Sequence, residues 1–229
     1  MFGLLKSHRL VYEDRRDVGG GVTSLAFRAR RPINARAGQH GFLHLGATVV
    51  KPFSLASAPG EGAVLIATSL ASGSAAKNRL AALRPGDWLT LRGPINNFTL
   101  DGVAGPIVML AQGVGITPFR SMLAHIALDD LALDSSLIHV ARSGHAYRDD
   151  TEKWAAWSAY PQHSDEFRDA VTATARARPN ARFYAAGASA FVSSTAALLR
   201  SCGIEAGNIR QDKYLGYRPT ARRAVTSDP

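Results

Sequence analysis

The stretch Ile107-Val108-Met109-Leu110-Ala111-Gln112-Gly113-Val114-Gly115-Ile116-Thr117-Pro118-Phe119-Arg120-Ser121-Met122 constrains the fold more than any other part of the chain. It opens with an unbroken apolar run, the pattern of a strand covered on both faces. Two glycines then permit a tight turn and a close backbone approach to a ligand. Thr117 is placed to cap the helix that follows, with Pro118 at its first position, where no N–H is missed. Phe119, Met122, Leu123 and Ile126 recur at helical spacing and are expected to face a core. Free N–H groups at such a helix start suit a phosphate. An ordinary strand-to-helix turn would use the same residues, so the motif alone leaves both readings open.

Downstream, strands and helices alternate. A second apolar run, Leu137-Ile138-His139-Val140-Ala141, follows after about 30 residues, the length of one βαβ unit. A short strand is expected within residues 154–160, a helix over 165–178, a strand over 182–186, a helix over 190–202 stopped by Gly203, and a last strand over 209–214. Alternation of this kind implies a parallel sheet flanked by helices.

Upstream the pattern differs. Short apolar or alternating runs occur at residues 9–12, 23–27, 42–45, 53–57, 64–70 and 88–92, separated by Gly19-Gly20-Gly21, Gly38, Pro59-Gly60 and Pro85-Gly86-Asp87. Six such runs predict an antiparallel barrel or sandwich. One helix, over 75–83, interrupts them; its Gly73-Ser74 entry is a second possible anion site or a plain serine cap.

Several function classes fall away. The single Cys202 excludes an internal disulfide and a cluster held by four cysteines of this chain. His40 and His44 lack metal-ligating companions, and no Ser/His/Asp set or carboxylate pair points to hydrolysis. No run approaches the roughly 18 apolar residues of a membrane span, and the apolar start is too short for a signal peptide, so a cytoplasmic setting is expected. The formal charge of +9 is scattered along the chain, which argues against nucleic acid; the Arg218, Arg222 and Arg223 cluster reads as a solvated tail. A basic surface also suits anionic cofactors or an acidic protein that docks briefly.

With both halves laid out, the chain resembles the ferredoxin–NADP reductase family from about residue 10 to residue 217. Lys51-Pro52-Phe53-Ser54 resembles the flavin signature Arg-x-Tyr-Ser. Ser74-Ala75-Ala76-Lys77, followed by Arg84-Pro85-Gly86-Asp87, resembles the segment that receives the FAD diphosphate. Gly93-Pro94 to Phe98 resembles the link between domains, and Gly113-Val114-Gly115-Ile116-Thr117-Pro118 the NAD(P) diphosphate loop. Ala185 to Gly187 takes the place of the family's Cys-Gly. Asp212-Lys213-Tyr214-Leu215-Gly216-Tyr217 resembles the segment whose aromatic residue covers the flavin.

The resemblance implies a β + α/β protein: a six-stranded antiparallel flavin-binding barrel over 1–102, a Rossmann-like NAD(P)-binding parallel sheet over 103–217, and a basic tail over 218–229. It implies that hydride passes from NADPH to FAD and electrons then leave to an external acceptor such as ferredoxin or flavodoxin. A reductase component of an oxygenase complex and a non-catalytic binding protein are the alternatives. Ser54 is expected near the flavin N5, with Tyr214 or Tyr217 over the ring. Lys51, Pro52, Phe53, Ser57, Thr68, Ser74, Ala75, Ala76 and Lys77 would hold the flavin nucleotide. Gly113, Val114, Gly115, Thr117, Pro118, Gly187 and Ala188 would hold the second. Arg142, Ser143 and Arg148 after the second parallel strand would favour NADPH over NADH, since a cation there suits a 2′-phosphate. Lys51 brings a point charge in place of arginine's fork, Phe53 lacks tyrosine's hydroxyl, and Ala186 and Ala188 replace the family's cysteine and proline.

Overall fold

In a computed structural model of the chain, residues 6–46 and 48–214 are described. Tyr217 and the tail lie outside them. The N-terminal half forms β1 (Ser7–Asp17), β2 (Thr23–Ala29), β3 (His40–His44), β4 (Val50–Ser54), β5 (Val64–Thr68), α1 (Ala75–Ala81) and β6 (Trp88–Ile95). The strands pair antiparallel in the order β4-β3-β6-β1-β2-β5. A bridge between Leu55 and Ile66 joins the two ends into a barrel. Inward positions Leu10, Leu25, Phe27, Leu43, Ile66 and Leu91 fill it, and α1 adds Leu80. β1 runs five residues past its expected end: Glu13–Asp17 is charged and exposed, so no alternation marks it, yet it pairs with β2 through a bulge after Tyr12.

The second half supplies β7 (Ile107–Gln112), a 3₁₀ turn (Gly113–Ile116), α2 (Thr117–Leu128), β8 (Ser135–Val140), α3 (Arg148–Trp154), β9 (Trp157–Ala159), α4 (Ser164–Ala177), β10 (Arg182–Ala188), α5 (Ser189–Ser201) and β11 (Ile209–Tyr214). The five strands are all parallel, in the order β11-β10-β7-β8-β9. Val108, Leu110 and Ile138 pack against Phe167 and Val171 of α4 and Val192 and Leu199 of α5. Ile107, Met109 and Leu137 pack on the opposite face against Phe119 and Met122 of α2.

The second core does not stop at the module boundary. It continues into the barrel through Val22, Ala56, Ala67, Phe98 and Leu100. Helix α2 is therefore wedged between sheet and barrel, and its polar face is as buried as its apolar one. Arg120, 4% exposed, donates to Ala56 O at 3.1 Å and pairs with Glu61 at 2.5 Å and Asp150 at 3.2 Å. Its guanidinium also stacks over Tyr147 and Trp154. Ser121 donates to Ser57 O at 2.7 Å. A second contact forms where the loop after β8 meets the β1–β2 turn: Tyr147 donates through its N–H to Val18 O at 2.7 Å and through its hydroxyl to Ser24 at 2.6 Å. Gly20 permits this approach, because a Cβ there would strike Gly144 O.

Candidate functional site

In the parallel sheet, β7 connects to β8 through α2 on one face, while the chain later returns to β10 through α4 on the other. The strand order reverses between β7 and β10, and the crevice at their carboxyl ends is where such sheets bind ligands. The Gly113 turn leaves β7 at that point with φ +52°, and the end of β10 lies beside it.

The glycines there divide their work differently from the sequence expectation. Gly113 needs its freedom for the left-handed turn, and a Cβ would meet nothing within 4 Å. Gly115 is glycine because the turn packs against β10, where a Cβ would run into Ala186 O, a packing demand that the sequence did not show. Gly187 likewise sits against Gln112 and Phe191. Thr117 does not cap α2 with its side chain; the helix starts directly from the 3₁₀ turn. Its hydroxyl instead donates back to Val114 O at 3.0 Å.

That single bond fixes a longer array. Thr117 Oγ1 also lies 3.1 Å from the Tyr214 hydroxyl, which lies 3.1 Å from Ser54 Oγ. A carbonyl only accepts, so the Thr117 proton goes to Val114 O. Tyr214 must then donate to Thr117, and Ser54 to Tyr214. One directed chain runs from the barrel strand β4, through the last residue of β11, to the turn after β7. The Tyr214 hydroxyl is buried, which drives its pKa far up; negative charge on Asp212 adds to the rise.

Asp212 is a site residue that the sequence reading left without a role. It stands two positions before Tyr214 on β11, beside Ala186, and its Oδ2 is buried with no hydrogen-bond partner among the described residues. Burial raises its pKa to about 6. The period-2 spacing from Tyr214 was the available signal.

On the barrel side, Lys77 Nζ bonds to Thr68 Oγ1 and stands 5.4 Å above the Phe53 ring, while its N–H donates to Ser74 Oγ at 3.4 Å. Burial lowers the Lys77 pKa to about 8. Phe53, Thr68 and Ser74 thus gather around Lys77, with Phe53 the residue before Ser54 on β4. Lys51, Pro52 and Ala75 are exposed beside them. Ala76 differs: its side chain is in the barrel core, so only its backbone faces outward chemistry. Ser57 is taken up by packing, its hydroxyl accepting from Leu65 N at 3.1 Å.

Arg142 and Ser143 are exposed just past β8. Arg148, exposed at the start of α3, stacks on the Tyr160 ring at 4.7 Å and pairs with Glu152 at 3.4 Å. The charge surplus, read from sequence as scattered, is partitioned. Residues 6–104 carry thirteen Lys and Arg against six Asp and Glu; residues 105–214 carry eleven of each.

No family model matches the chain. Among solved structures, a ferredoxin–NADP⁺ reductase from Plasmodium falciparum superposes with a TM-score of 0.71 at 13% identity, covering 90% of this chain and 95% of that one. The FAD/NAD-binding domain of a nitric oxide dioxygenase from Vibrio cholerae superposes at 0.74 with 15% identity, covering 90% and 98%. In sequence, ferredoxin–NADP reductase B of Sorangium cellulosum is 40% identical over 80 residues, 34% of this chain and 33% of that protein. The chain has the fold of these reductases and is similar in sequence to one of them over part of its length. The flavohemoprotein of Deinococcus radiodurans is 31% identical to this chain over 107 residues, 45% of the chain and 27% of that protein. Tetrachlorobenzoquinone reductase of Sphingobium chlorophenolicum is 31% identical over 168 residues, covering 68% and 51%. The chain therefore spans about half or less of the length of each of these curated relatives. Among the described residues, no helix is long and apolar enough to cross a membrane.

Proposed function

We propose that the chain is an FAD-dependent NADPH oxidoreductase that delivers electrons to a separate acceptor. The observation that carries this reading is the Ser54–Tyr214–Thr117 chain, which joins the barrel face to the switch point of the parallel sheet. The residues present fit the two nucleotides. Phe53 offers an aromatic face, Lys51 and Lys77 offer cations for a diphosphate, and the Gly113 turn offers backbone N–H groups. FAD, when bound, takes two electrons from a reduced nicotinamide and releases them to the acceptor. The chain's own part is positional: Tyr214 is a movable cover, and Ser54, which donates to it in this structure, becomes a hydroxyl donor for the flavin edge once the phenol moves aside.

A ferredoxin, a flavodoxin or an oxygenase component with an acidic face suits the barrel's surplus of seven positive charges. Preference for NADPH rests on exposed Arg142. A cytoplasmic setting belongs to the same reading, in keeping with the free thiol of Cys202.

Purified protein should take up FAD, absorb near 450 nm and bleach under NADPH without oxygen; protein that binds no FAD would sink the reading. Arg142→Ala should cut the NADPH-over-NADH preference about tenfold, the size of one charged hydrogen bond, in steady-state kinetics with both nucleotides.

A further inference from the structure

His139 has no part in the arrangement above, yet it touches it. It lies on β8 opposite Ala111 of β7, on the same face as Leu137, and is 0% exposed. Its Nε2 is 2.9 Å from Gly113 O. Since the carbonyl only accepts, Nε2 carries the proton and the ring is the donor. Nδ1 is then a bare lone pair, buried with no partner among the described residues. A hydrocarbon side chain would fill this space without burying an unpaired nitrogen. What the imidazole adds is a grip on the Gly113 carbonyl.

The consequence follows from peptide geometry. Across a trans peptide, the C=O and the next N–H point in opposite directions. With Gly113 O drawn inward to β8, the Val114 N–H is turned outward, away from the sheet. Gly113 sits at φ +52°, where glycine moves freely, so this peptide is the one in the turn best able to flip. The Val114 N–H is also among the first N–H groups of the Gly113–Ile116 turn, which have no acceptor within it. On the far side, Val114 O is held by Thr117. The peptides on both sides of Val114 are therefore pinned.

We propose that His139 is a positioning residue for dinucleotide binding: by holding the Gly113 carbonyl, it presents the Val114 N–H to the diphosphate. The inference rests on the reading of the crevice as a nucleotide site. The surroundings keep the donor constant. Burial foremost, and then neighbouring His145, lower the His139 pKa to about 3, so the ring stays neutral through the physiological range. His145 stands edge-on at 5.2 Å with its own Nε2 tied to Pro161 O at 2.9 Å, and the Tyr160 ring lies 6.5 Å from His139.

The test compares His139→Phe, which keeps bulk and loses the donor, with His139→Gln, whose amide nitrogen can reach the same carbonyl. NADP⁺ binding to flavin-free protein is measured by calorimetry, alongside NADPH kinetics and thermal unfolding. His139→Phe should weaken NADP⁺ about tenfold and raise the NADPH KM to match, with kcat within about twofold. His139→Gln should recover most of that loss. FAD affinity should be unchanged in both. Wild-type affinity in His139→Phe, or equal loss in both variants, overturns the proposal while leaving the nucleotide site intact. Failure of the wild-type protein to bind NADP⁺ removes the site reading itself, and this inference with it. Should the Phe variant not fold, His139→Leu makes the same comparison with Gln.

Discussion

The barrel and the parallel sheet meet anions by different means. The barrel carries a surplus of seven positive charges and sets lysine side chains around its candidate cofactor face. The sheet module has no net charge, and its candidate phosphate site is a turn of backbone N–H groups held by close packing. Charge acts at long range, tolerates variation and is screened by salt. Backbone geometry acts at contact and fails when a neighbour shifts by a few tenths of an ångström. One module is suited to steering partners and the other to discriminating a small ligand.

The strongest way to break this contrast is Gly115→Ala. A methyl group facing Ala186 O must push the turn away from β10, costing about 2–3 kcal/mol. That corresponds to a fall in Tm of roughly 5–10 °C for a chain of this size. NADP⁺ affinity should fall with it while FAD affinity holds; equal loss of both would mean the modules do not work separately. Gly113→Ala should be milder, a left-handed strain of about 1–2 kcal/mol with open space for the methyl.

Salt sharpens the contrast from the other side. Between 50 and 200 mM ionic strength, the acceptor KM should rise several-fold while the nucleotide KM changes much less. Similar shifts in both would show that the barrel's charge is not steering the acceptor.

Tyr214→Phe tests the hinge between the two. Ser54 has one proton, and in this structure it goes to Tyr214. Removing the phenol frees that donor for the flavin, so FAD should bind about 2- to 10-fold tighter, read by fluorescence titration.

The smallest effect concerns Asp212. Its pKa of about 6 lies above the ordinary 3.8, so the folded chain keeps a proton that the unfolded chain has already lost. Stability therefore declines as pH rises from about 4 to about 6 and is level above that. Asp212→Asn should abolish this decline and raise Tm at pH 7 by on the order of 2–4 °C.

The sequence revealed the elements well where burial has a simple period. The last strand falls at residues 209–214 as expected, and the alternating barrel strands and uniformly apolar β7 were equally readable. What it concealed were features made by two distant segments at once. Arg120 and Ser121 look like the wet side of an amphipathic helix until the barrel covers them. Ser54, Thr117 and Tyr214 are separated by up to 160 positions, and no spacing rule joins them. The family resemblance gathered Ser54 and Tyr214 at one site, but not the direction of the proton chain or the isolation of Asp212. The partition of charge was present in the residue order, and emerges once the count is divided where the fold divides.

Helix α2 joins every part of this arrangement: it begins at the candidate nucleotide turn, backs onto the sheet, and is clasped along its other side by the barrel. A beam fixed at both flanks leaves little room for the halves to rock against each other. Turnover in this molecule should thus proceed with its two lobes stationary, the traffic at the crevice being managed by one swinging phenol rather than by a closing jaw.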